Sequence, residues 1–376
     1  MKISEIIGKN IETLMINQNI SFRQMAEIIN VTHPTVSKYT KGEQAIDSDK
    51  LSIIASFFKK PFDYFFSEEH DEIGLLFRAD KPDEAICEYD IELIKTKFNQ
   101  YIDVVGKSRF NFIPQKYNFT INSKKLNEEY ESFLEKVAFE QRKYFNIENM
   151  IPENYFSVVE EKGINVISAK FTNNSFFGAS SFSENYGSFI FINSSAKITE
   201  ERQIFTLFHE HGHLLFHQGD YKQSDYNPYY GGEGDIKEKI VNSYAGYFLL
   251  PRHLVKEYID ARNKNVDIMA MKQYFKVSIQ TLYMALRKYN FINQKQYDIF
   301  WNKVNLNDWK KKEPNPIDLT GFIDKNFKLT SNLKKLYNND EISSNKVAQV
   351  LDIDLLEARK LFKKWSEVDE QYEHLS

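Results

Sequence analysis

The chain has 376 residues, 42% hydrophobic and 15% aromatic, enough to fill the cores of two or three domains. A formal net charge of −4 argues against a protein that coats nucleic acid broadly through charge alone. Its single cysteine, Cys87, excludes a disulfide framework and a cysteine-rich zinc site, and it fits a reducing cytoplasm. No apolar run approaches membrane-spanning length and the N-terminus has no signal-peptide core, so a cytoplasmic location without membrane contact is expected.

At the N-terminal end, Ile6, Ile7, Ile11, Leu14 and Met15 recur at helical spacing over residues 3–16. Ser21 is placed to cap a second helix carrying Met25, Ala26, Ile28 and Ile29, and Asn30-Val31 makes the turn that follows. Thr32 to Tyr39 reads as a short third helix, with Pro34 in the first turn where a missing N–H costs nothing. Leu51, Ile53, Ile54, Phe57 and Phe58 mark a fourth. Thr32, His33, Thr35 and Lys38 are small or polar residues at the exposed start of the third helix, suited to base edges. Arg23 and Gln24 stand at the start of the second, where phosphate or base is met. Over residues 1–67 the chain resembles the Cro/XRE-type helix-turn-helix domain, which implies double-stranded DNA as a partner. Charges within the segment nearly balance, so one domain alone would bind weakly and a homodimer is expected. The rival reading of these helices is a small interaction module.

Residues 68–125 read as a helical connector containing Phe77-Arg78-Ala79, a helix over 86–101 and a mixed stretch over 108–121. Further helices are expected over 126–144 and 151–161. The period then changes. Residues 163–171, 175–182 and 187–193 read as three strands.

Next comes Phe205-Thr206-Leu207-Phe208-His209-Glu210-His211-Gly212-His213, an apolar helical run containing His-Glu-x-x-His. Positions four apart lie on one helix face, so His209 and His213 present two imidazoles to one ion, with Glu210 beside them to take a proton from water. Histidine is scarce here, 8 residues in all, which makes chance occurrence uncommon. The rival is a core helix with hydrogen-bonded histidines. His211 points away from the ligand face, and His217, two turns beyond His209, reads as a satisfied helix-end residue rather than a ligand. Catalytic zinc takes three protein ligands, so a third is sought nearby. A second helix begins at Asp235 and stops at Pro251, and Glu238 lies in its first turns with Glu233 and Asp235 as competitors. A small sheet ahead of such a helix is the zincin layout, in which an edge strand over the cleft pairs with an extended peptide.

These residues resemble the ImmA/IrrE metallopeptidase domain: Ile192-Asn193, Arg202, the run from Phe205 to His213, and the stretch from Glu238 through Asn242 to Pro251. The resemblance implies that His209, His213 and Glu238 bind Zn2+ and that Glu210 is the catalytic glutamate. His211 stands where the family usually has Leu and Val241 where it usually has Ala. Two further segments, 269–286 and 342–361, have a helix-turn-helix cadence without basic DNA-facing positions, and residues 301–316 read as a charged, proline-bearing linker.

The expected fold is multidomain and mainly α with a small β-sheet. Its parts are a helix-turn-helix bundle (1–67), the connector (68–125), a zincin-like α+β metallopeptidase domain (126–260), a helix-turn-helix-like segment (261–300) and a C-terminal helical domain (317–376). The expected function is that of a DNA-binding transcriptional regulator with a zinc metalloendopeptidase domain. Family resemblance implies that its protein substrate is a transcriptional repressor. Glu210 would serve as base and then acid; His217, His253 and Tyr247 are candidates for oxyanion stabilisation. The rival is a non-proteolytic DNA-binding sensor whose zinc domain holds the fold or senses a ligand.

Overall fold

The computed structural model describes residues 2–373 except 18–19, 59, 61, 67–74, 80–87, 107–116, 118–125, 184–185, 218–228, 231–234, 264–265, 310–311 and 320–323. Cys87, Glu233 and all of 108–121 but Tyr117 fall outside the described residues. Two compact units divide the chain, Met1–Glu72 and Ile73–Ser376.

The first unit contains α1 (Ile3–Asn17), α2 (Phe22–Ile28), α3 (His33–Thr40), α4 (Ser48–Phe57) and a 3-10 turn, Phe62–Phe66. Ser21 caps α2 in a reciprocal box, its side chain accepting from Gln24 N while Gln24 Oε1 accepts from Ser21 N at 2.8 Å. Asn30 takes φ 50° at the turn into α3, the left-handed conformation that asparagine tolerates. Ile11, Met25, Val36, Leu51, Ile54 and Phe65 meet in one core, each 2% exposed or less.

In the second unit the chain begins with β1 (Leu75–Ala79), a strand where the sequence suggested a helical connector. It continues through α5 (Glu88–Val105), α6 (Glu128–Tyr144), α7 (Tyr155–Glu161), β2 (Asn165–Ala169), β3 (Phe176–Ser183) and β4 (Gly187–Asn193). Then come α8 (Glu200–Phe216), β5 (Tyr229–Tyr230), α9 (Ile236–Leu249), α10 (Arg252–Asp260), α11 (Ile268–Phe275) and α12 (Ile279–Lys288). Finally α13 (Gln294–Leu306), α14 (Phe327–Asn338), α15 (Ser344–Leu351) and α16 (Leu355–Glu373) complete it. The linker expected over 301–316 is corrected in its first part: Phe300 and Val304, four apart, are buried with Ile279 and hold α13 through Leu306.

Among the described residues five strands form one sheet in the order β2-β4-β3-β1-β5. β3 runs antiparallel to both β4 and β1, while β2 pairs parallel with β4 and β5 parallel with β1. Both faces of the sheet are covered. Val166, Ile190 and Ile192 pack with α6 through α12 in the larger core. Ile167, Ala169, Phe189 and Phe191, of opposite parity, pack with Ile94 and Phe98 of α5, Leu333 of α14, Val347 of α15 and Trp365 of α16. Helices expected in a connector and in a C-terminal domain thus form one layer on the second face of the sheet. Buried Arg142 ties α6 to the end of α9 by donating to the carbonyls of Phe248 (2.8 Å), Ile147 (2.6 Å) and Met150.

Candidate metal centre

Helix α8 starts where Thr199 caps it by accepting from Arg202 N, with Glu200 and Glu201 in the first turn, where the helix dipole favours carboxylates. It lies buried between the sheet and α9. Two glycines permit the approach. A Cβ on Gly178 of β3 would sit 2.5 Å from Thr206 Cγ2, and one on Gly212 would sit 3.0 Å from Val241 of α9. Asp235, one of the competitors for third ligand, is instead the N-cap of α9 and accepts from Lys237 N at 2.9 Å. Glu238 follows in the first turn.

This packing brings His209, His213 and Glu238 together, one ligand atom from each lying within 4.8 Å of the others. His209 Nε2 is 3.2 Å from His213 Nε2 and 3.2 Å from Glu238 Oε2, and His213 Nε2 is 3.3 Å from Glu238 Oε1. A tetrahedral zinc with bonds of about 2.0–2.1 Å has ligand–ligand edges of about 3.3 Å. The two imidazole nitrogens stand at that spacing from each other, and each has a different oxygen of the Glu238 carboxylate at the same distance. Their types, two imidazoles and one carboxylate, suit zinc. Both histidines are 2% exposed or less and Glu238 is 9% exposed. Burial works to raise the Glu238 carboxyl, but the hydrogen bonds and charge of His209 and His213 outweigh it and hold the group ionised, well below the usual carboxylate range.

Each imidazole is also held on its other side. His209 Nδ1 lies 2.9 Å from Asn242 Oδ1, and His213 Nδ1 lies 2.9 Å from Nδ1 of His217, the C-cap of α8. Glu210 is fully buried against β3, where its Oε2 accepts from Ser180 Oγ at 2.7 Å. His211 faces away from the three donors, as its position implied. Its Nδ1 pairs with Tyr244 Oη at 2.8 Å, and burial pushes its pKa down to about 3, so it is a neutral packing residue.

The oxyanion candidates fare differently. His217 is engaged with His213, and exposed His253 with the carbonyl of Glu148 at 2.9 Å. Tyr247 lines a cavity of about 750 Å3 beside the centre, together with Arg202, Phe205, Asn242, Thr281 and Met284. One further expectation is corrected. The strand over Glu210, β3, is not a free edge, because β1 pairs along it with Leu76 opposite Ser180 and Arg78 opposite Gly178. The sequence reading gave no role to Ser180 and none to Asn242. Ser180 lies on a strand 30 residues before its partner Glu210, with no local signal. Asn242 could have been found, since it follows Glu238 by one helical turn on the same face.

In the first unit Thr32, His33 and Lys38 are exposed and Thr35 half-buried, with Thr32 Oγ1 and Thr35 Oγ1 hydrogen-bonded at 2.8 Å. Arg23 and Gln24 are exposed at the start of α2, Gln24 with its carbonyl engaged by the cap. No helix among the described residues is long and apolar enough to cross a membrane.

Comparison with known proteins follows the same division. The family profile described as IrrE N-terminal-like domain, Peptidase_M78, matches residues 159–287, and the helix-turn-helix profile HTH_3 matches residues 11–65. The chain joins a helix-turn-helix domain to an IrrE-like peptidase-family domain. The IrrE-like match spans β2 through α12 and so includes all three candidate donors, Glu210 and Asn242. Two similar proteins are uncharacterized HTH-type transcriptional regulators. The one from Rickettsia conorii is 40% identical over 65 residues, 17% of this chain and 52% of that protein. The one from Rickettsia prowazekii is 38% identical over 65 residues, 17% of this chain and 50% of that protein. The chain thus spans about half the length of the curated relatives it matches.

Proposed function

We propose that the chain is a DNA-binding transcriptional regulator whose IrrE-like domain is a zinc endopeptidase, and that its substrate is a transcriptional repressor protein. What supports the catalytic part is the pair of imidazole nitrogens 3.2 Å apart, each 3.2–3.3 Å from one oxygen of the Glu238 carboxylate, with Glu210 next to His209 on the same helix. His209 Nε2, His213 Nε2 and a Glu238 carboxylate oxygen would hold the ion, which when bound supplies Lewis acidity toward water and the scissile carbonyl. Glu210 takes a proton as the water oxygen bonds to the carbonyl carbon. It returns that proton to the leaving nitrogen as the C–N bond breaks. Ser180, donating to Glu210 Oε2, orients the carboxylate for both transfers. Because β1 occupies the edge of β3, an extended substrate reaches the centre by pairing elsewhere or by displacing β1.

For the regulatory part, α3 would enter the major groove and present Thr32, His33, Thr35 and Lys38 to bases, with Arg23 and Gln24 toward the backbone. Two copies of the domain would bind half-sites about one helical turn apart. A second reading, a non-proteolytic sensor, draws on the cavity of about 750 Å3 beside Asn242, which is large enough for a small-molecule ligand.

Co-expression with a neighbouring repressor, followed by intact-mass measurement of both proteins, separates the two. The peptidase reading expects cleavage by the wild type and none by Glu210→Gln, which keeps metal and DNA binding. Equal cleavage by both forms contradicts it. Normal regulation with no cleavage by either form favours the sensor.

A further inference from the structure

The two histidines share a feature that the ligand geometry alone does not require. Each directs Nε2 toward the common point, and each has Nδ1 in a 2.9 Å contact with a different side chain. A neutral imidazole carries one proton, so an Nε2 lone pair facing a metal places that proton on Nδ1. For His209 the Nδ1–H then donates to Asn242 Oδ1. That also fixes the Asn242 amide, since its nitrogen cannot accept. For His213 the Nδ1–H donates to His217, whose Nδ1 must be the unprotonated acceptor and whose own proton therefore sits on Nε2. His217 cannot use that nitrogen as a third imidazole donor while it holds His213.

The holders repeat at helical spacing. Asn242 follows Glu238 by four residues on α9, and His217 follows His213 by four on α8. Each of the two ligand helices thus supplies metal donors and, one turn further on, the side chain that holds an imidazole. α9 holds the imidazole of the other helix.

On the reading that this centre binds zinc, we propose that Asn242 and His217 are its positioning residues. They lock His209 and His213 in the Nδ1–H tautomer and fix both ring orientations. The two differ in setting. Asn242 is exposed and borders the cavity beside the centre, so its amide is within reach of whatever enters there. His217 is buried at the helix end, 8% exposed. Loss of a group that orients a metal-bound histidine weakens metal binding by about 10–100-fold.

The test uses the full chain stripped of metal and titrated with Zn2+ against a chromophoric chelator, then with Co2+ to read the ligand-field absorption. Asn242→Leu and His217→Phe should each weaken Zn2+ binding about 10–100-fold and alter the Co2+ spectrum. Asn242→Asp keeps an acceptor in place and should bind within about threefold of wild type. Circular dichroism of the metal-free variants checks that each has folded. The outcome against the proposal is Zn2+ binding by both variants within a factor of about two of wild type, with an unchanged Co2+ spectrum. The two hydrogen bonds would then only join helices, visible as a lower melting temperature. A loss confined to one variant overturns the role of the other. If His209→Ala itself retains a full equivalent of zinc, the metal reading fails, a result distinct from failure of the positioning roles.

Discussion

Substituting Gly178 by alanine tests how rigidly the sheet holds Glu210. The added Cβ would lie 2.5 Å from Thr206 Cγ2 and 2.7 Å from the Phe191 carbonyl oxygen of the adjoining strand. Neither can step aside freely, one being part of a stiff β-branched side chain and the other backbone. Ordinary carbon contacts begin near 3.5 Å, so α8 must withdraw by roughly 1 Å. The Ser180–Glu210 hydrogen bond, 2.7 Å long on the same interface, would be stretched past the useful range. Overpacking of this kind costs about 1–3 kcal/mol. At about 2–4 °C per kcal/mol, the metal-free protein should melt roughly 5 °C lower. Gly246, in the last turn of α9, is the control, because a Cβ there meets nothing within 4 Å. Gly246→Ala should raise stability by about 0.5–1 kcal/mol, the ordinary gain for a helix interior. Thermal unfolding followed by circular dichroism, without metal, measures both. If Gly178→Ala melts at or above the wild-type temperature, the interface yields more easily than its distances state, and the positioning of Glu210 by β3 is refuted.

Other predictions rest on separate features. Lys272 is fully buried and contacts Glu201 at 2.5 Å and Glu313 at 3.4 Å, so Lys272→Met should destabilise by about 3–5 kcal/mol, and adding Glu201→Gln should recover part of that in denaturant titration. Burial pushes Glu160 up to about 8 from 4.5, so its favourable contribution is complete below about pH 4.5 and is lost as pH rises through 8. Melting curves should therefore show Glu160→Gln gaining on the wild type between pH 5 and 8 and no further above it; a constant gap across that range contradicts the burial of the charge. In the helix-turn-helix domain, Lys38→Ala should weaken specific duplex binding by about 1–3 kcal/mol in a shift assay without unfolding α3; undiminished binding would exclude Lys38 from the contact.

What the sequence made legible was what a single helix repeats. The four-residue spacing of His209 and His213, and the apolar period around them, needed no tertiary information. In the sequence Glu238 was separable from Asp235 only through the family resemblance; the physical difference is in the coordinates, where Asp235 occupies the cap and the carboxylate one turn in faces α8. The sheet was less legible. β1 joins β3 across some hundred residues of chain, and nothing local in Leu75–Ala79 names that partner. The helices on the second face carry ordinary amphipathic periods, which state that Leu333, Val347 and Trp365 are buried but not against what. The last residues of α13, 301–306, were read as linker because charged and polar residues surround Val304, which with Phe300 suffices to dock the helix. Asn242 and His217 act between side chains at particular ring atoms, a level that residue spacing suggests and only coordinates resolve.

The central claim is that His209, His213 and Glu238 hold one metal ion. Elemental analysis of the purified chain tests it most directly, on the wild type and on Glu238→Ala, Asp235→Ala and His209→Ala. The account predicts one zinc per wild-type chain, retention in Asp235→Ala, and loss in His209→Ala and Glu238→Ala. A full equivalent of zinc in Glu238→Ala, or none in the wild type after purification without chelator and with zinc supplied, would contradict it.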